Sequence, residues 1–380
     1  DSKDVGINSN FHADRSITAT KHKTDPIAPL RRLILQLINF KSEEERHTFK
    51  AITYLLHEII TPEDEPQCLA MIDQLFQDSE TDRSHSIPNL IFFMSSWVSY
   101  GRISVNLLID MKKVIKKRRN QNDYQDLLAQ IDRAMQYSSP VIPQWAPLII
   151  PKENMLAWMN KDWSATKIGA ALTEMCLTFY QLRAWEFIDE ANFGPHARLL
   201  NNRCTALTHF VATSILAAAT ISEKSARKST VKWLDIADNL SSRNNFHMMF
   251  AIQNGLQINA VERLKWLFEA LPSKSKKVKE RLDSLFNVLD KMKLLTDTTE
   301  QLAGKVCMIP CIYWLHSKAL LSREAPLFLK KRLINLQRVI SANNIFGNLI
   351  KMQSMPYEKI LAPEEIRWYF IRLENENLKA

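Results

Sequence analysis

A chain of 380 residues with 46% hydrophobic content can bury a large core, and at about 150 residues per domain it has room for two or three domains. Only 7 glycines occur, with no G-x-G-x-x-G and no G-x-x-x-x-G-K-[ST], which argues against a turn-rich sheet protein and against a standard phosphate-cradling loop; the Leu, Ile, Ala, Lys and Glu that dominate instead point to an all-α protein. The formal charge of +9 gathers in two runs, Lys112 to Arg119 and Lys274 to Arg281, each readable as a contact for nucleic acid or an anionic membrane surface, or as a solvated helix face.

Residues 1–26 are polar, lack periodicity and read as a flexible arm. Helical periodicity starts after Pro29, with Leu33, Leu37 and Phe40 as one stripe and Phe49, Ile52, Leu55, Leu56 and Ile59 as the next. Thr61-Pro62-Glu63 predicts a helix start, Thr61 capping and Pro62 at the first helical position, for a helix through Cys68, Met71, Ile72 and Leu75. Ser86-Ile87-Pro88 predicts another, carrying Leu90, Phe93, Met94 and Trp97; a long amphipathic helix with Val105, Leu108, Ile109 and Met111 then backs onto the first basic run. Neither run holds an aromatic residue, so base stacking has no support and nucleic acid is not the expected partner.

Pro140, Pro143, Pro147 and Pro151 forbid helix interiors and favour extended geometry, which places a linker at 138–160 between helical domains at 27–137 and 161–380. In the second domain the pattern predicts helices at 165–190, 200–221, 226–242, 245–257, 259–271, 276–293, 309–322 and 327–353, joined by short loops as antiparallel neighbours require. No fixed-period repeat is visible, which argues against a solenoid.

Conventional chemistry is missing. The 9 histidines lack H-E-x-x-H spacing, and no nucleophile elbow occurs. The 5 cysteines form no C-x-x-C pair; Cys307, Cys311 and His316 lack a fourth metal ligand and sit among apolar neighbours. No metal or cofactor is expected. Reduced thiols fit a cytosolic protein, and no run of 18 consecutive apolar residues predicts a membrane span.

Four segments, in order, resemble the Ras guanine-nucleotide exchange factor (Cdc25-homology) domain. Lys167-Ile168, Leu172-Thr173, Phe179-Tyr180 and Glu186-Phe187 are similar to its opening helix, and Thr208-His209-Phe210-Val211-Ala212-Thr213-Ser214-Ile215-Leu216 to S-N-W-V-A-T-E-I-L. Lys232 to Ala237, Asn244-Asn245-Phe246, Ala251-Ile252, Gly255-Leu256, Val261, Arg263-Leu264-Lys265, Phe268 and Leu271-Pro272 follow K-F-I-x-I-A, N-N-F, A-I-x-x-G-L, V-x-R-L-K and W/F-x-x-L/I-P without a gap. Ile309-Pro310-Cys311-Ile312-Tyr313, Ile334-Asn335-Leu336 and Gln353 to Tyr357 resemble P-C-I-P-F, I-N-F and Q-x-x-P-Y. The resemblance covers about residues 160–360. Before it, Tyr54-Leu55-Leu56, Thr61-Pro62-Glu63, Leu69 to Phe76 and Trp97-Val98 are similar to the helical Ras-exchanger-motif module.

The resemblance implies an exchange factor that opens a Ras- or Rap-class small GTPase with a protruding helical hairpin and does no covalent chemistry. A binding-only scaffold on the same fold is the alternative. By matched position the hairpin comprises 311–322 and 327–353, with Leu320 as the apolar residue at the Mg²⁺ region and Glu324 as the acidic residue near the phosphates. Helix-core packing and a solvated loop charge are the plainer readings of these two. Phe250, Gln257, Glu262 and Arg263, with Cys204 and Ser317 nearby, would bind the GTPase. Phe250 also fits core packing, while Asn244, Asn245 and Asn335 read as structural, Asn244-Asn245 at a helix start. The hairpin loop is shorter than usual, Gln337-Arg338-Val339-Ile340 replaces a basic S-K-R-R, and the tyrosine pair expected between Leu294 and Leu302 is absent. The Gly-poor, Asn-, Lys- and Ile-rich composition also fits a bacterial effector that imitates a eukaryotic exchange factor in the host cytosol.

Overall fold

A computed structural model describes residues 34, 35, 52, 56, 60, 63–82, 86–100, 103–118, 121–136, 163–187, 193–323, 326, 335–358 and 360–377. The expected arm (1–26) and the whole of the proline-rich segment at 138–160 lie outside them, as do Thr61 and Pro62.

The first group of helices comprises α1 (Glu65–Asp82), α2 (Ile87–Tyr100), α3 (Val105–Lys116) and α4 (Gln125–Gln136), with α1 packed on α2 and α3, and α4 on α2 and α3. Ser104 caps α3 by accepting the Leu107 N–H at 3.1 Å. The buried stripe of α3 is Leu107, Leu108, Met111, Val114 and Ile115, whereas Val105 and Ile109 are exposed. The 3.6-residue period is as expected; the phase differs, because the stripe follows the contact with α1 and α4. Three cations of the first basic run are paired within the protein. Buried Arg118 pairs with Asp73, has Glu80 at 3.9 Å and lies over the Phe76 ring, while Lys112 pairs with Asp132 and Lys113 with Asp110.

The second group contains α5 (Ala165–Met175), α6 (Pro195–Ile221), α7 (Glu223–Ser242), α8 (Phe246–Gln257), the short α9 (Asn259–Glu262) and α10 (Lys265–Glu269), α11 (Ser273–Leu285), α12 (Lys293–Leu302), α13 (Ile312–Arg323), α14 (Leu336–Gln353) and α15 (Glu364–Asn377). Among the described residues there is no strand, only one isolated bridge between Asn245 and Ile309. The architecture is all-α. Helix α6 is the centre of this group, packing on α7, α8 and α15, while α13 packs on α14. It is long and apolar enough to cross a membrane, yet half of its most apolar window is buried among the other helices.

The matched motifs explain how these helices approach. A Cβ at Gly255 would stand 2.6 Å from the Val211 side chain and 2.7 Å from the Thr208 carbonyl, so only glycine lets α8 cross α6 here. Beside that crossing the Thr208 hydroxyl donates to the Ala251 carbonyl at 3.1 Å. The fully buried Trp233 ring donates from its indole nitrogen to Ser214 Oγ at 2.8 Å, satisfying both polar atoms inside the core.

Several expected boundaries shift. The 165–190 helix ends at Met175 and continues as 3₁₀ turns at Leu177–Gln181 and Ala184–Phe187. The 259–271 helix is two short ones, and 276–293 stops at Leu285, because the chain turns through left-handed Lys291 and Met292 before α12 begins. The 309–322 helix starts at Ile312, since Ile309 is held in the bridge with Asn245. The 327–353 helix begins at Leu336: Asn335 is extended and caps it by accepting the Gln337 N–H at 3.1 Å, and residues 327–334 lie outside the described residues. Helices α12 and α15 have no counterpart in the expected pattern.

Candidate functional site

The asparagines at the start of α8 do more than cap it. Asn245 Oδ1 accepts the Met248 N–H at 3.1 Å, and its amide donates to Thr173 Oγ1 at 3.2 Å on α5. Asn244 is left-handed (φ 53°), a conformation that asparagine tolerates better than most residues. Its amide donates to the Cys307 carbonyl at 3.2 Å, and its own carbonyl accepts from the Ile309 N–H at 3.0 Å. The Ile309 carbonyl in turn accepts from the Phe246 N–H at 2.9 Å. From the other side Tyr180 donates its hydroxyl to the Met308 carbonyl at 3.0 Å. The segment 307–312, which leads into α13, is therefore pinned at both edges.

His247 completes the joint. Its Nδ1 lies 3.4 Å from the Ile312 N–H and accepts from it, which leaves Nε2 as the protonated nitrogen donating to the Leu200 carbonyl at 3.0 Å. The ring thereby links α6 to the first residue of α13. Complete burial holds its pKa down at about 4, so the imidazole is neutral.

A second support lies under the middle of α13. Buried Glu186 accepts backbone N–H bonds from Arg183 (3.1 Å), His196 (2.6 Å) and Ala197 (3.0 Å), and its carboxylate also meets His196 Nδ1 at 2.8 Å. A carboxylate placed on the first N–H groups of α6 satisfies orphan donors and opposes the helix dipole. Gly194 makes room, since a Cβ there would stand 2.4 Å from the Glu186 side chain. On either side of this turn Phe187 and Phe193 pack on His316 of α13, with Phe193 at 4.3 Å between ring centroids.

So fixed, α13 buries Ile312, Leu315 and Ala319 and turns Tyr313, Ser317 and Leu321 outward at i, i+4 and i+8. Tyr313 is 51% and Leu321 60% exposed. Phe250 of α8, only 8% exposed, lies beneath Tyr313 in a near-parallel stack at 5.7 Å, and Phe286 packs on it at 5.4 Å. Ser317 is half-buried and donates its hydroxyl to the Tyr313 carbonyl at 3.0 Å. Gln257, two turns along α8 from Phe250, is exposed, as are Glu262 and Arg263 around the end of α9; neither of these two makes a side-chain ion pair among the described residues.

The structure thus joins Phe250 and Ser317 through Tyr313 and leaves Gln257, Glu262 and Arg263 on the surface. Cys204 is buried in α6, its thiol pushed well up by burial, and offers no surface for contact. Leu320 is half-buried, and Glu324 lies outside the described residues. Tyr313 and Leu321 were not singled out by sequence reasoning, although their four-residue spacing opposite a buried stripe was the available signal. Among the described residues no cluster of His, Cys, Asp or Glu has a metal-binding arrangement.

A family model for the RasGEF domain matches residues 149–340, half of the chain. Among curated proteins the chain is similar to Ras-specific guanine nucleotide-releasing factor 2 of Danio rerio (21% identity, covering 46% of this chain and 14% of that protein). It is similar too to Ras guanine nucleotide exchange factor G of Dictyostelium discoideum (26%; 47% and 12%) and to Rap guanine nucleotide exchange factor 5 of Homo sapiens (29%; 34% and 21%). The chain therefore spans at most about a fifth of the length of these relatives.

Proposed function

We propose, from the premise that this chain belongs to the RasGEF domain family, that it binds a Ras- or Rap-class small GTPase and promotes GDP release through the outward stripe of α13. The observation that carries this reading is Tyr313 stacked on Phe250, with Ser317 and Leu321 continuing the same face. An exposed aromatic on a buried aromatic platform has the composition of an interface anchor, and the exposed Gln257, Glu262 and Arg263 would add polar contacts.

No bond is made or broken on this chain in such a function. A factor that weakens nucleotide binding must itself be weakened by nucleotide, because coupling free energy is reciprocal. Picomolar nucleotide affinity corresponds to about 16 kcal/mol, so several kcal/mol of differential contact must come from a rigid wedge. The joint at 244–247 and the support at Glu186 supply that rigidity to α13. By position Glu324 would stand near the phosphates, where a carboxylate repels the nucleotide and offers the GTPase's phosphate-binding lysine another partner. Residues 27–137 would form the accompanying Ras-exchanger-motif module, linked through 138–160 to the exchange domain at 161–380.

The test is release of a fluorescent GDP analogue from a panel of Ras, Rap and Ral proteins. Accelerated release from at least one supports the reading. A stable complex with the nucleotide-free GTPase but no acceleration identifies the binding-only scaffold, and neither binding nor release overturns both.

A further inference from the structure

Between α11 and α12 the chain makes a tight turn that presents apolar side chains to water. Val288 is 71% and Leu289 93% exposed, and Leu294, at the start of α12, is exposed as well. The turn is not a loose loop. Asn287 Oδ1 accepts the Leu289 N–H at 3.0 Å, and the Asn287 amide donates to Asp290 at 2.9 Å. The Lys291, Met292 and Lys293 N–H groups donate to the carbonyls of Val288, Asn287 and Asp290. Buried Phe286 and Met292 anchor its two ends. Lys291 and Met292 are both left-handed (φ 52° and 51°), a conformation that disfavours each non-glycine residue by about 1–2 kcal/mol. The fold thus holds two aliphatic side chains outward on a strained, hydrogen-bonded tip.

The tip carries two lysines and one aspartate, a net positive charge. Lys291 and Lys293 are exposed and form no ion pair among the described residues, whereas the Asp290 carboxylate is turned onto the Asn287 amide. The basic run on α11 differs: Lys274 lies 3.7 Å from Asp235 and 3.6 Å from Asp238, Arg281 bonds Asp238 at 2.8 Å, and Lys279 pairs with Asp283. Three cations of that run, Lys274, Lys279 and Arg281, are thus paired within the protein, while Lys276 and Lys277 are exposed. The lysines left free at the tip flank aliphatic groups, and a convex apolar point with flanking ammonium groups matches the layering of an anionic bilayer, acyl chains below and phosphates above.

We propose that the Val288-Leu289 tip is a membrane-docking element that inserts into an anionic lipid surface while Lys291 and Lys293 engage headgroup phosphates. Because Phe286 at the base of the tip packs on Phe250, a seated tip holds the Tyr313 face close to the bilayer.

The experiment is flotation of the full chain with phosphatidylcholine vesicles, with and without phosphatidylserine. The chain should float with the serine-containing vesicles, and the double variant Val288→Asp, Leu289→Asp should lose about tenfold or more of that partition while keeping its far-UV spectrum. The pair Lys291→Gln, Lys293→Gln should remove the preference for phosphatidylserine and leave weaker, charge-independent binding. Nucleotide release in solution should be unchanged by the aspartates, so lipid docking and exchange can fail separately. No flotation of the unmodified chain, or equal flotation of the aspartate variant, overturns the proposal. Unaltered flotation together with loss of GTPase capture would identify the tip as a protein contact instead.

Discussion

Phe250 and Tyr313 stack with ring centroids 5.7 Å apart and planes 19° from parallel, so an exposed ring on α13 rests on a buried ring of α8. The two helices are joined again at their starts, where His247 accepts the Ile312 N–H. Orientation of the outward face is therefore set by α8 as much as by α13 itself.

Removing that face should separate function from folding. Tyr313→Ala gives up an aromatic pair contributing about 0.5–1.5 kcal/mol and should leave the thermal midpoint within a few degrees. Accelerated GDP release should fall about tenfold or more if Tyr313 anchors the partner. Leu321→Asp, on the same stripe, should behave alike, whereas Leu320→Asp, at a half-buried position, should lower stability too; thermal melts beside release rates check all three.

The joint below α13 gives a second prediction. Asn244→Ala removes the bond to the Cys307 carbonyl and places a less tolerant residue at φ 53°, so it should lower stability by about 1–2 kcal/mol in urea denaturation. Asn244→Gly loses the same bond but accepts the backbone, and should cost less.

His247 predicts a pH dependence. Its folded pKa of about 4 lies below an unfolded value near 6.5, so between these limits the unfolded chain binds a proton that the folded chain refuses. Stability from this residue is fully present above about pH 6.5 and is lost as pH falls towards 4, by about 3 kcal/mol across the window. Denaturation midpoints measured through that range should show the slope, and His247→Gln should flatten it.

Glu186→Gln keeps the shape but removes the charge from a carboxylate accepting three backbone N–H bonds. A loss of about 2–3 kcal/mol is expected in denaturation, with weakened seating of His316 and slower exchange.

Much of this was legible in the sequence, for identifiable reasons. Strong stripes such as Leu207, Val211, Ile215 and Ala218 run at spacings of three and four, so the all-α fold and a helix at 200–221 followed from pattern, whereas its central place did not. Helix α15 escaped because, among its described side chains, only Ile366 and Phe370 are buried apolar residues, although Pro363 with Glu364-Glu365 was a start signal. Helix α12 escaped because the left-handed turn at Lys291 and Met292 carries no glycine or asparagine at those positions to announce it. At the site, Phe250 was assigned a contact role through its neighbours in the motif, whereas Tyr313, although it closes the segment resembling P-C-I-P-F, was assigned none, because its stacking on Phe250 is a relation between residues distant in the chain. Cys204 was assigned beside the GTPase-binding groove by matched position; the structure shows it buried in α6.

The most direct test of the central claim is the rate of fluorescent GDP release from a Ras- or Rap-class GTPase with the unmodified chain and with Tyr313→Ala, Leu321→Asp. The account predicts acceleration by the unmodified chain and its loss in the folded double variant. Equal acceleration by both would contradict the assignment of the α13 face as the site that opens the GTPase.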